Sequence, residues 1–83
     1  MPGLHAKEKT VQSVERTLLI METMADSGEP MTLSEISNEV GLKVITVHRL
    51  LKTLIYKGFA DQDPYTGKYQ LGVKAFRIGN TAL

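Results

Sequence analysis

Between Lys43 and Lys57 the chain carries Lys43, Arg49, Lys52 and Lys57 and no acidic residue, a local charge of +4. Wound at about 100° per residue, Ile45, Thr46, Arg49, Lys52, Thr53 and Tyr56 gather on one side of this segment. The chemistry open to such a surface is ionic and hydrogen-bonding. Ammonium and guanidinium groups neutralise phosphates, a guanidinium grips a guanine edge with two N–H groups, and threonine hydroxyls bond phosphate or base. The stretch before it, Glu29 to Leu42, holds Glu29, Glu35 and Glu39 without any cation, a local charge of −3. A formal net charge of only +1 therefore hides a polarised chain. Duplex DNA carries one charge per ~1.7 Å of axis, so a concentrated basic face matters more to it than the total.

Other chemistries find little support. There is no cysteine, hence no thiol nucleophile and no disulfide framework, which fits the cytosol. His5 and His48 are the only histidines, and no close pair of metal ligands is visible. No glycine-rich phosphate loop or serine–histidine–acid arrangement can be defended, so neither an enzyme nor a cofactor is expected. His48 lies at the edge between the two faces of its helix, where a phosphate contact and a partly buried packing role are both open.

The elements that must position the basic face are also legible. Val44, Val47, Leu50, Leu51, Leu54 and Ile55 gather opposite the cations and predict a core-facing stripe on a helix over about 43–57. Upstream, Thr32 and Glu35 have the spacing of a capping box, and Leu33, Ile36, Ser37 and Val40 then share one face. Gly41 stands where a left-handed residue would end that helix, with Leu42 over the turn. Helix, tight turn and basic helix over about 33–57 follow the plan of a helix-turn-helix, whose second helix enters the major groove. A basic helix face alone is most often a solvated surface. The turn before it and the hairpin after it are what favour DNA.

A first helix is predicted from a Ser13 cap to about Asp26, with Val14, Thr17, Leu18, Ile20, Met21, Met24 and Ala25 as its apolar stripe. Gly28 and Pro30 end it. Arg16 lies off the stripe, where it could reach a phosphate, and Leu19 projects on the polar side, either as an ordinary exposed leucine or against a second subunit. Residues 1–10 show no periodicity and read as a flexible arm. Gly58 closes the basic helix. Phe59 to Gln62 and Lys68 to Leu71 alternate as strands, and Asp63-Pro64-Tyr65-Thr66-Gly67 has the proline and glycine of a turn with a left-handed bulge. The wing so formed presents Tyr65, Thr66 and Lys68 for phosphate or minor-groove contact, tempered by Asp61 and Asp63. From Gly72 helical character resumes, with Val73, Phe76 and Leu83 on one side. The expected fold is mainly α with a small β-hairpin: a winged helix-turn-helix of three core helices and a two-stranded wing, spanning 11–71. Its 83 residues form one small domain, and its longest apolar run, Leu18 to Met21, is far too short to span a membrane.

Taken together, several stretches resemble the DNA-binding domain of the IclR family of bacterial transcription regulators. They are Val11-Gln12-Ser13-Val14-Glu15-Arg16, Thr32-Leu33-Ser34-Glu35-Ile36, Gly41-Leu42, Thr46 through Leu54, Gln62-Asp63-Pro64, Thr66-Gly67-Lys68-Tyr69 and Leu71-Gly72-Val73-Lys74. The likeness covers residues 11 to 80 in the family's order and spacing. It implies that residues 72–83 begin a linker helix leading, in the family, to a larger effector-binding domain. These 83 residues hold no such domain, and a shortened form of a longer regulator is expected. The resemblance further implies binding as a homodimer or dimer pair to partly palindromic operator DNA, in the bacterial cytoplasm, under control of a small-molecule effector. Thr46 and Arg49 match positions that contact or approach bases. Family members often read Pro-Lys-Ser-Thr at the front of this helix, whereas here the run is Lys43-Val44-Ile45-Thr46. Ile45 replaces a hydroxyl with an aliphatic group that can meet a thymine methyl but cannot donate a hydrogen bond.

The expected contacts are accordingly Arg49 to guanine or phosphate, Thr46 and Ile45 to base edges, and Arg16, Lys43, Lys52 and Lys68 to the backbone. Thr32, Ser34, His48 and Thr53 complete the candidate surface. The competing reading is a winged helix used for protein–protein interaction, because fold alone does not fix function.

Overall fold

The computed structural model describes residues 9–83. Of the arm expected over 1–10, only Lys9 and Thr10 fall within that range, and both are exposed outside regular structure. The element order is α1 (Gln12–Ser27), α2 (Leu33–Val40), α3 (Val44–Tyr56), β1 (Ala60–Gln62), β2 (Tyr69–Leu71) and α4 (Val73–Thr81). This is the mainly helical winged architecture that the patterning predicts.

α1 begins one residue before the serine expected to cap it. Val11 is the N-cap, and its carbonyl accepts from the N–H groups of Val14 and Glu15, both at 3.1 Å. Ser13 is already helical, and its carbonyl takes the Thr17 hydroxyl at 2.6 Å. The start of α2 is as expected: the Glu35 N–H donates to the Thr32 hydroxyl oxygen at 3.1 Å, and the Thr32 N–H to the Glu35 carboxylate at 2.8 Å. Thr32→Ala is expected to cost about 1 kcal/mol in urea unfolding, the usual worth of such a cap. The Thr32 N–H is the largest influence on Glu35, and together with the Thr32 hydroxyl and the Lys68 charge it outweighs partial desolvation and holds the carboxyl below its ordinary value of 4.5. A depressed native pKa favours the ionised, folded form. This contribution is therefore complete above the unfolded-state value and fades as pH falls through the native one. Unfolding midpoints followed down through pH 4.5 should fall more steeply in the native sequence than in Glu35→Gln, which has no carboxyl to titrate, and parallel curves would refute the linkage.

Gly41 closes α2 at φ 70°, a left-handed turn that side chains with a Cβ resist. Its N–H and that of Leu42 both reach the Ser37 carbonyl, at 3.0 and 3.3 Å. The buried Ser37 hydroxyl donates to the Leu42 carbonyl. One serine on the inner face thus pins the turn through its backbone and its side chain. Gly28, Gly58 and Gly67 likewise have positive φ at the helix ends and the bulge where they are expected.

The core lies where the three helices meet the base of the hairpin. Ile20 and Met24 from α1, Ile36 from α2, and Val47, Leu51 and Leu54 from α3 close on Met31, Ala60 and Tyr69. β1 and β2 pair antiparallel with Ala60 opposite Leu71, Asp61 opposite Gln70 and Gln62 opposite Tyr69. Met31, in the loop before α2, adds a one-residue bridge on the far side of β2, exchanging both backbone bonds with Tyr69 at 2.9 and 2.7 Å. The wing is thereby tied to the helical body by backbone as well as by packing.

Expectations on three helices need correction. Val14, Leu18 and Ala25 of the predicted α1 stripe are exposed, because only the sector of α1 centred on Ile20 and Met24 meets the core. Val44, expected on the inner face of α3, is 46% exposed, because the first turn of α3 runs past the edge of the core. α4 buries no residue: Val73 and Phe76 are exposed, and Leu83 lies beyond its end at Thr81 instead of sharing its face. None of the described helices is long and apolar enough to cross a membrane.

Candidate nucleic-acid interface

With Val47, Leu51 and Leu54 fixed inward, the helical repeat turns Ile45, Arg49, Lys52 and Tyr56 directly outward on α3. All four are exposed. Thr46 and Thr53 flank that stripe on the side facing α1. There Gln12, Ser13 and Arg16 line a shallow groove with Thr46, Arg49, Leu50 and Thr53. Two arginines and three hydroxyl residues thus border one depression, a fitting arrangement for phosphate oxygens and base edges. A neighbouring depression along Val14, Thr17 and Leu18 shares Ser13, Leu50 and Thr53 with this groove.

Of the residues expected from sequence, Arg16, Thr46, Arg49 and Thr53 meet in this groove. Lys43 is the exposed N-cap of α3, Ile45 and Lys52 share the outward stripe, and His48 is half-buried at the border, as its edge position implied. Thr32 and Ser34 sit at the start of α2, where Thr32 is engaged in the cap.

Lys68 is the outlier. It is bonded into the wing tip, its N–H donating to the Thr66 hydroxyl oxygen at 3.2 Å, yet it also borders a second depression with Glu29, Glu35, Asn38 and Glu39, and its charge bears on Glu35. Gln12 and Ser13 are groove residues that the sequence reading did not assign, although Gln12 and Arg16 have the four-residue spacing of helix neighbours.

The wing tip is built as a closed loop. One Asp63 carboxylate oxygen accepts from the N–H groups of Tyr65 at 2.7 Å and Thr66 at 3.1 Å, and these bonds, Thr66's first, hold Asp63 below its ordinary value of 3.8. The Gly67 N–H returns to the Asp63 carbonyl at 2.8 Å, and the Gln62 amide donates to the Gly67 carbonyl at 3.0 Å. Tyr65 stands at the apex, 96% exposed. Among the described residues no group of three His, Cys, Asp or Glu side chains could hold a metal ion.

The family model for the IclR helix-turn-helix domain matches residues 13–64, from the early part of α1 through α2 and α3 to the wing. The chain belongs to this family. It is 37% identical over 75 residues to the glycerol operon regulatory protein of Streptomyces coelicolor, covering 90% of this chain and 30% of that protein. Against the HTH-type transcriptional regulator XynR of Escherichia coli it is 41% identical over 70 residues, 84% of this chain and 28% of the relative. The crystal structure of Pseudomonas aeruginosa HmgR superposes with a TM-score of 0.82 at 39% identity, over 87% of this chain and 30% of HmgR. This IclR domain therefore spans about 30% of the length of the relatives it matches. The family is one of DNA-binding transcription regulators, not of enzymes.

Proposed function

We propose that this IclR domain binds operator DNA with α3 in the major groove and the wing on the backbone or minor groove. The observation that carries this reading is the single groove in which Arg16 from α1 meets Thr46, Arg49 and Thr53 from α3. Arg49 and Thr46 read base edges, Arg16, Lys43 and Lys52 position the backbone, and Ile45 faces a thymine methyl. His48, Thr53, Thr32 and Ser34 supply further polar contacts at the margins. Lys68 contributes as a phosphate contact only if the DNA draws it away from Glu35. In the longer regulator, two or four such domains act together on a partly palindromic site in the bacterial cytoplasm. A small-molecule effector acts through a separate domain.

Selection from a pool of random duplexes at two salt concentrations tests this. An enriched, roughly palindromic site is expected, with an affinity whose logarithm falls by about 0.9 per phosphate neutralised for each unit of log salt. Failure to bind duplex DNA even at low salt would overturn the reading and favour a protein partner, for which salt-insensitive binding is the mark.

A further inference from the structure

We propose that Val44 and Ile45 read the C5-methyl group of a pyrimidine, so that this domain responds to 5-methylcytosine as it does to thymine. The inference rests on the operator-binding reading above and gives it a chemical specificity. Ile45 is 63% exposed and Val44 46%, side by side on the first turn of α3. It is this turn of a recognition helix whose side chains meet base edges. Neither side chain can donate or accept a hydrogen bond, so a base amino group or carbonyl beneath them would lose its water without replacement.

The major-groove edges of the four bases offer one apolar group, the C5-methyl of thymine. A methylated cytosine carries that methyl on the same ring carbon. Its amino group occupies the place of the thymine carbonyl, beside the methyl, and a contact confined to the methyl leaves either group hydrated.

Position narrows the assignment. Ile45 precedes Arg49 by four residues, one helical turn or about 5.4 Å along the axis, on the same outward stripe. Base pairs are ~3.4 Å apart. The methyl therefore lies within about two steps of the base pair or phosphate that Arg49 meets. Thr46 also owns a methyl group, but it is half-buried and turned toward α1. Ile45 is thus the aliphatic side chain turned directly outward on this turn, with Val44 exposed at its flank where the core ends.

The test uses the chain of 83 residues and the duplex it selects. Each thymine of a half-site is replaced in turn by uracil, which removes only the methyl, and each thymine by cytosine or 5-methylcytosine. At one thymine, or two neighbouring ones, uracil should weaken binding roughly four-fold, the worth of one buried methyl. At the same position 5-methylcytosine should bind roughly four-fold better than cytosine. In Ile45→Ser and in the double variant Val44→Ala/Ile45→Ala both differences should vanish, with circular dichroism confirming that the exposed substitutions leave the fold intact. Uracil tolerated at every thymine of a well-selected site would overturn the inference while leaving operator binding standing. Methyl sensitivity that persists undiminished in the double variant would overturn it too, and assign the methyl to Thr46. If no duplex is selected at all, the operator reading and this inference fall together.

Discussion

Arg49→Ala should weaken binding to the selected duplex by about 1–3 kcal/mol, roughly five-fold to more than a hundred-fold. The side chain is exposed at the centre of the outward stripe and beside Thr46, Thr53 and Arg16, so its removal takes nothing from the core. The unfolding midpoint should accordingly stay within about 0.5 kcal/mol of the native value. The pattern of the loss separates two modes of action. A guanidinium gripping a guanine makes the loss fall on one base pair, and Arg49→Lys then rescues little, because an ammonium cannot reproduce two parallel bonds. A guanidinium on a phosphate makes the loss similar on every sequence, lowers the salt slope by about one, and is largely rescued by lysine. Titrations at three salt concentrations against the selected site and a scrambled duplex decide between them. Unchanged binding to both would remove Arg49 from the interface.

The second large effect is on stability and comes from a residue that touches no DNA in this reading. A Cβ on Gly72 would stand 2.7 Å from the Gly58 carbonyl oxygen, 3.2 Å from the Ala60 nitrogen and 3.3 Å from the Phe59 carbonyl carbon. All three are backbone atoms, which no rotamer change can move aside. They are also bonded in place. The Gly72 N–H donates to the Phe59 carbonyl at 2.9 Å and the Lys74 N–H to the Gly58 carbonyl at 3.3 Å. Gly72→Ala must therefore force apart the link from α3 to β1 and the start of α4, at a cost of about 1–3 kcal/mol or more. Each kcal/mol lowers the Tm of a domain this size by roughly 4–8 °C. Gly79→Ala is the matched control: it lies within α4 with nothing near its Cβ position, and relief of glycine's poor helix propensity should leave stability equal or slightly higher. Opposite signs for the same chemical change would isolate the contact. Equal effects would show that the junction is soft.

The features that sequence revealed best were those set by neighbours along the chain. The Thr32–Glu35 box, the Gly41 turn and the Asp63 to Gly67 wing tip each depend on bonds between residues a few positions apart, and each stands where the residue types put it. Misreadings arose where a distant partner decides. Ser13 has the chemistry of a cap, but hydroxyl chemistry does not reveal that the Val11 carbonyl has already started the helix. Periodicity assigned Val44 its angle around α3, yet an angle does not tell where the core stops along the axis. Met31 forms a single bridge, too short to leave an alternating pattern. Lys68 stands in the wing, and that its charge also bears on Glu35 was hidden because strand alternation carries no information about that neighbour. The candidate site was legible as a helix face. Its α1 wall was legible only at Arg16.

The two depressions have a kinetic consequence. The arginine-lined groove and the one bordered by Glu29, Glu35 and Glu39 share no residue, so opposite charges are held apart on a chain of net charge +1. The pull of a polyanion on such a body is weak as a net force and strong as a torque: the protein is turned before it is drawn in. At physiological ionic strength the field decays over about 8 Å, less than the width of a helix with its side chains, so reorientation is confined to the last moments of an encounter. Lowering the salt lengthens that reach and should raise the association rate with DNA more than it lowers the dissociation rate.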